Sequence, residues 1–241
     1  MSDDMEVNQL LRQYAAGERN FQKLDFREGE LIKANLKGAD FSRSDLRQAR
    51  LGRTNFMQAI FREADLSEAI LWGSDLSQAD LSRAVLRDAD LSGAKLMQTN
   101  LTEAYLSKAC LCGANLHGAK LQGAILFEVD FRPTSDQRTD LGKADLSGAD
   151  LNYANLSAAL LYRVNLDRAK LCRANLSVIL DRDPFVTDLT EASLRGADLS
   201  YANLSGAVLL KADLQEADLT GTILTDADLR GAIMPDGTVH D

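Results

Sequence analysis

Few side chains in this 241-residue chain could make or break bonds. They are three cysteines, Cys110, Cys112 and Cys172, and two histidines, His117 and His240. Thiolates are nucleophiles and soft-metal ligands, and imidazole moves protons near neutral pH. A single Cys-x-Cys with one distant cysteine is a weak metal site, because structural zinc needs four ligands at paired spacings. His240 lies in the C-terminal tail, and His117 is expected to point outward, alone in solvent. Asp and Asn recur so often that carboxylate pairs are unavoidable, so no pair marks an acid–base dyad. No phosphate-binding loop, G-x-S-x-G, H-E-x-x-H or dinucleotide-binding glycine pattern is present. These observations predict a protein that is not an enzyme, with no cofactor, no metal and no small-molecule substrate. The thiols read as reduced.

What must position these residues is a five-residue phrase, Ala-(Asp/Asn)-Leu-(Ser/Arg/Thr)-x, as in Ala64-Asp65-Leu66-Ser67-Glu68. Its central Leu or Phe recurs at every fifth residue from Phe21 to Phe131, from Leu141 to Leu176 and from Leu189 to Met234. That is 23, 8 and 10 units, 41 in all. An internal repeat outranks other fold signals. On an α-helix five residues turn about 500°, which scatters the Leu residues around the axis. On a straight strand an odd period sends them to alternate faces. Both arrangements expose the largest apolar side chains. If the chain instead turns a corner after each Leu, the Ala two residues earlier and the Leu both point inward, while Asp/Asn and the corner residues point outward. Stacked turns then pair backbone groups above and below, giving an all-β solenoid with a narrow apolar core. Ser44, Thr54, Thr99 and Val129 are the kind of small substitutes for Ala that a crowded interior permits. Phe21, Phe26, Phe41, Phe56 and Phe61 cluster at the early central positions. The three prolines, Pro133, Pro184 and Pro235, fall where the repeat stops, so none removes a ladder hydrogen bond.

This phrase, over roughly residues 20–235, resembles the pentapeptide-repeat family. The resemblance implies a right-handed quadrilateral parallel β-helix with four units, or 20 residues, per coil. Counting one missing unit at each break gives about 10–11 coils, a rod roughly 50 Å long. The domains read as an N-terminal helical cap over 1–19, the β-helix over 20–235 with loops at 132–140 and 180–188, and a tail over 236–241. Residues 5–16 carry Val7, Leu10, Leu11 and Tyr14 at helical spacing, and Gly17 is a stop signal. A repeat array needs such a cap over its end coil. The loop at 132–140 is expected to replace one side of one coil, and the 180–188 break to replace the next side around. Asp236-Gly237 suggests a turn that folds Val239 over the last coil.

Net charge is −9, which argues against general nucleic-acid binding. Residues 188–241 hold ten acids and three bases, so the acidity belongs to the C-terminal quarter. No apolar run is long enough for a membrane span, and residues 1–20 lack the pattern of a secretory signal. A cytoplasmic location is expected.

With 20 residues per coil the outer surface can be mapped. The side built on Leu31, Leu51, Leu71, Leu91 and Leu111 carries Ile70, Trp72, Cys110 and Cys112, with Arg50 and Arg53 one coil below the tryptophan. The following side offers Met57, Met97 and His117, and the preceding side Val85, Tyr105, Ile125 and Phe127. On this map Cys112 and Cys172 share a column three coils apart, roughly 14 Å, beyond disulfide reach. Contiguous exposed apolar residues around Trp and Arg mark interaction surfaces. Loops carry function more often than the scaffold does. The candidate partner-binding residues are therefore Arg50, Arg53, Met57, Ile70, Trp72, Met97, Tyr105 and Phe127, with Pro133, Asp136, Gln137 and Arg138 of the first loop.

Two functions follow from the resemblance. Some pentapeptide-repeat proteins resemble B-form DNA in shape and charge and inhibit DNA gyrase. On the side of Phe41 and Phe61, however, the mapped outer residues, ending in Asp140, Lys143 and Arg163, are five acids against seven bases. That is a poor phosphate mimic. Asp188, Asp198, Asp213, Glu216, Asp218, Asp226 and Asp228 would mimic only a short duplex. The segments 10–17, Glu68-Ala69-Ile70-Leu71-Trp72-Gly73, 132–141 and Met234-Pro235-Asp236-Gly237 resemble instead the pentapeptide-repeat proteins of cyanobacterial heterocyst differentiation. The 180–188 segment has no counterpart in that resemblance. It implies a scaffold that binds another protein, such as a transcription regulator of the differentiation circuit, without contacting nucleic acid or membrane.

Overall fold

The computed structural model describes residues 7–179 and 185–241. Residues 20–234 wind as a right-handed quadrilateral β-helix. The residue before each central Leu pairs in parallel with its equivalent one coil on, as in Asn35↔Asn55↔Asp75↔Lys95. Each side is only one pairing residue long, because the corner follows at once. The central N–H donates to the coil above, as Leu36 N to Asn55 O at 2.8 Å. The corner closes by a bond from the next Ala N–H, as Ala39 N to Leu36 O at 3.1 Å. Except where the two loops and the tail begin, the residue two past each central residue sits in the left-handed region, with φ between 55° and 62° where it is not glycine. That conformation costs side-chain-bearing residues energy, and the paired coils on either side hold it in place.

We number the four faces by their central residues. Face 1 holds Leu31, Leu51, Leu71, Leu91, Leu111, Phe131, Leu156, Leu176, Leu204 and Leu224. Face 2 begins with Leu36 and Phe56, face 3 with Phe21 and Phe41, and face 4 with Phe26 and Leu46. Ala and Leu from all four faces form one continuous buried column. Phe21, Phe41 and Phe61 stack at centroid separations of 5.5 and 5.2 Å, with Phe56 edge-on to the last two. Several buried hydroxyls at Ala positions return hydrogen bonds to the coil below, such as Ser44 to Phe21 O at 2.9 Å and Thr99 to Leu76 O at 2.7 Å, whereas the buried Ser74 hydroxyl has no partner.

Helix α1 (Val7–Ala15) caps the first coil. Leu10 is fully buried against the core and Val7, Leu11 and Tyr14 pack beside it. Gly17, at φ +101°, ends the helix, with Gly17 N to Tyr14 O and Glu18 N to Gln13 O both 3.0 Å. The predicted start at residues 5–6 lies outside the described residues.

Three expectations are corrected. Asp130 stacks on Cys110, but Asp140, not a residue five along, stacks on Asn115. The segment 132–139 therefore replaces no side; it adds five residues at the corner between faces 1 and 2. The second break does not fall on the next side around. Asn175 pairs with Asn155 and Asp188 with Leu160, so it adds eight residues at that same corner, two coils further on. Its residues 180–184 lie outside the described residues. A skipped side would leave unpaired backbone groups and a hole in the column, so extra chain is extruded instead. The tail also differs from expectation. Val239 pairs antiparallel with Ile233 and His240 N donates to Ala232 O at 2.8 Å, but Val239 is 64% exposed and does not cover the last coil.

Candidate protein-interaction surface

The corner between faces 1 and 2 is built twice in the same way. Each loop re-enters the column through a threonine at an inward Ala position. The Thr139 hydroxyl accepts from Gly113 N–H at 2.9 Å and lies 3.1 Å from Arg132 O and 3.2 Å from Leu111 O. The Thr187 hydroxyl accepts from Ala158 N–H at 2.8 Å and lies 3.1 Å from Ser177 O. Both threonines are fully buried. At the tip of the first loop, Thr134 N donates to Gln137 O at 2.8 Å, leaving Ser135, Asp136 and Gln137 exposed. Pro133 is half-buried.

Arg138 ties the two loops together. Its Nε donates to Ala158 O at 2.8 Å, its guanidinium bonds Val186 O, and it lies 5.5 Å from the Phe185 ring centre. Burial lowers its pKa from the usual arginine value. Of the predicted loop residues, Asp136 and Gln137 thus face solvent, whereas Arg138 is engaged internally.

On face 1, Ile70 and Trp72 are each 37% exposed. The indole lies flat over the coil below, so close that a Cβ added at Gly52 would stand 2.6 Å from its Nε1. Arg53 stacks on its ring at 4.5 Å, and Arg50 pairs with Glu30 at 3.2 Å. On face 2, Met97 is exposed and Met57 half-buried. On face 4, Tyr105 is exposed and the half-buried Phe127 meets Tyr153 edge-on at 5.5 Å. The predicted residues therefore spread over the three consecutive faces 4, 1 and 2, with the Trp72–Arg53 group and the loop group at the corner of faces 1 and 2. The Trp72–Arg53 group lies three coils, roughly 14 Å, below the loop group.

The corner insertions move residues 140–179 by one face relative to the sequence map, and residues from 188 onward by two. Asp140, Lys143 and Arg163 lie on face 2; Asp145, Asp167 and Arg168 take their places on face 3. Face 3 then carries six acids (Asp40, Glu63, Asp80, Glu103, Asp145, Asp167) and six bases (Lys23, Arg43, Arg62, Arg83, Lys120, Arg168) over eight coils. Many are paired, including Arg43–Glu63 at 2.8 Å and Arg83–Glu103 at 2.7 Å, which lowers the Glu63 pKa through the Arg43 bond. The C-terminal acids spread over all four faces, with Asp226 at the corner of face 1, Asp188 on face 2, Asp213 on face 3 and Asp198 on face 4. Cys172 sits on face 4 and Cys112 on face 1, so they share no column. His117 is not alone: its Nδ1 is 3.1 Å from the Tyr162 hydroxyl and 3.8 Å from Asp140.

The same displacement hid two exposed aromatics from the sequence map. Tyr153 and Tyr201, 49% and 57% exposed, extend the face 4 group upward, with Arg173 5.6 Å from the Tyr201 ring centre. Following the pairs Asn115↔Asp140 and Leu160↔Asp188 instead of arithmetic places them.

A pentapeptide-repeat family model matches residues 20–58, 59–98, 94–132, 139–177 and 187–226. The chain belongs to the pentapeptide-repeat family. It is 61% identical to HetL, a pentapeptide-repeat protein involved in heterocyst differentiation regulation in the cyanobacterium Nostoc sp. strain PCC 7120. That match covers 98% of this chain and 100% of HetL, at a TM-score of 0.96. QnrB1, a plasmid-mediated fluoroquinolone resistance protein, matches at 19% identity over 87% of this chain and 91% of its own, with a TM-score of 0.34. A pentapeptide-repeat protein of the Arabidopsis thaliana thylakoid lumen is 30% identical over 51% of this chain and 73% of its own, with a TM-score of 0.26. No curated protein matches the chain. Among the described residues of this pentapeptide-repeat protein, no cluster of His, Cys, Asp or Glu is arranged to hold a metal ion. No described helix is long and apolar enough to cross a membrane.

Proposed function

We propose that this protein regulates heterocyst differentiation without catalysis, by binding a regulatory protein of that circuit through the loop-bearing corner and its flanking faces. The observation that carries this reading is the 61% identity to HetL over essentially the whole of both chains. The surface supports it: the exposed Trp–Arg stack and the tip Ser135–Gln137 adjoin the corner of faces 1 and 2, with Met97 at the far end of face 2 and Tyr105 on face 4. Trp, Tyr and Arg are the residues that dominate binding energy at interfaces. The balanced charge of face 3 and the dispersal of the C-terminal acids give a DNA-mimicking gyrase inhibitor no continuous anionic column to work with.

The test is expression in a heterocyst-forming cyanobacterium, scoring heterocyst frequency along filaments, with affinity capture from the same cells. The wild-type chain should alter the spacing and capture one regulatory protein in stoichiometric amount. Unchanged spacing at equal protein level would contradict the proposal.

A further inference from the structure

In most units an Asp or Asn side chain before the central Leu meets the residue after it. Ser42, Ser67 and Ser92 hydroxyls reach Asp40, Asp65 and Asp90 at 2.5, 2.6 and 2.6 Å. The coil geometry thus brings these two outer side chains within reach of one another in several units. At one unit both are cysteine. Cys110 and Cys112 flank inward Leu111 on face 1, and their Sγ atoms stand 3.1 Å apart. We propose that Cys110–Cys112 is a reversible dithiol–disulfide site that reacts with small-molecule disulfides such as oxidised glutathione.

The surroundings assign the two sulfurs different roles. Cys110 has the Ser92 hydroxyl 3.1 Å away. Hydrogen bonding from Cys112 and then from Ser92 outweighs burial and lowers the Cys110 pKa to about 6. Cys112 is raised, first by its bond to the Cys110 sulfur and then by burial. Cys110 is thus the sulfur that deprotonates first, and Cys112 the one held as a thiol. Both are half-buried and reachable from solvent. Gly113 beside them is buried under Thr134 of the first loop, so one flank is walled while the Ser92 flank is open.

The chemistry balances without a metal. The Cys110 thiolate attacks one sulfur of the disulfide RSSR, forming a mixed disulfide and releasing RS⁻. Cys112 then loses its proton, its sulfur attacks Cys110 Sγ, and the second RS⁻ leaves. Counted from the thiolate–thiol pair, the protein gives up two electrons and one proton, and RSSR becomes RSH and RS⁻, the latter protonated by solvent. The sulfurs need to close from 3.1 Å to a bond length of about 2.05 Å. This shift needs no unstacking of coils. Cys172, on face 4, takes no part.

The experiment treats the full reduced chain with excess oxidised glutathione, alkylates remaining thiols and maps the peptides by mass. The expected product has lost two hydrogens, links Cys110 to Cys112 and keeps Cys172 free. Cys112→Ser should stop at one glutathionyl group on Cys110, and Cys110→Ser should leave Cys112 slow to react. Circular dichroism checks that both variants fold. Alkylation of Cys110 at neutral pH should outpace that of Cys172 about tenfold, rising as pH passes through about 6. Three free thiols after treatment, or equal glutathionylation of all three cysteines, would overturn the proposal.

Discussion

Three corners of this β-helix turn in five residues on every coil, and one does not. The corner between faces 1 and 2 takes up five extra residues at 132–139 and eight before Asp188. The column of Ala and Leu inside is the same beneath both kinds of corner, and the parallel pairing continues past each loop. The difference teaches that the interior admits no skipped rung, so variation is confined to an outer edge. Surface features that depart from the repeat (Trp72, Met97 and the Cys110–Cys112 pair) lie on the two faces meeting at that edge.

The sharpest way to break this contrast is to cut into the column itself. Leu101→Ala, on face 3 away from both loops, should cost about 2–5 kcal/mol through lost burial and the cavity left behind, read from urea midpoints. A cost under 1 kcal/mol would mean that the column does not hold the rod together. Next come the corner threonines. Thr139→Val keeps shape but removes the hydroxyl that Gly113 N–H donates to, and should cost about 1–3 kcal/mol. Thr187→Val should match it, because the same bonds recur there. Arg138→Ala should cost about 1 kcal/mol and speed proteolysis in both loops together. Cleavage rising in the first loop alone would show that Arg138 does not couple them. Trp72→Ala should leave the circular dichroism unchanged, since the indole lies outside the column over Gly52, yet weaken partner binding at least tenfold, about 1.4 kcal/mol.

The smallest effect concerns charge on the uninterrupted coils. The Arg47 bond holds the Asp45 pKa below the ordinary 3.8, and the Arg27 bond does the same for Asp25. A depressed folded pKa contributes stability above the unfolded value and loses it as pH falls through the folded one. The urea midpoint should therefore fall below about pH 4, and Asp45→Asn should flatten that fall slightly. An unchanged acid limb would remove these pairs from the account.

The column and its period were legible because one apolar pair every five residues admits few other folds. What the sequence could not settle was the meaning of the step from Phe131 to Leu141. Ten residues fit a skipped side or an extruded loop equally well, and only the pairing of Asn115 with Asp140 decides. That ambiguity moved Asp140 and Cys172 to the wrong faces. Trp72 was expected on the surface, and it is there. Arg53 was mapped one coil below it, and Gly52 in that coil leaves room for the indole to lie there. The clasp of Arg138 across two loops had no periodic signal at all. Loop conformation is set by contacts far apart in sequence, here 48 residues.

The central claim, that the binding surface is the loop-bearing corner, is tested most directly by site-specific photo-crosslinking in heterocyst-forming filaments. A benzophenone side chain would be placed singly at Asp136 in the first loop, at the exposed Met97 at the far end of face 2, and at Arg83 on face 3. The account predicts one common protein adduct from Asp136 and Met97 and none from Arg83. An adduct from Arg83 with none from the other two would contradict it.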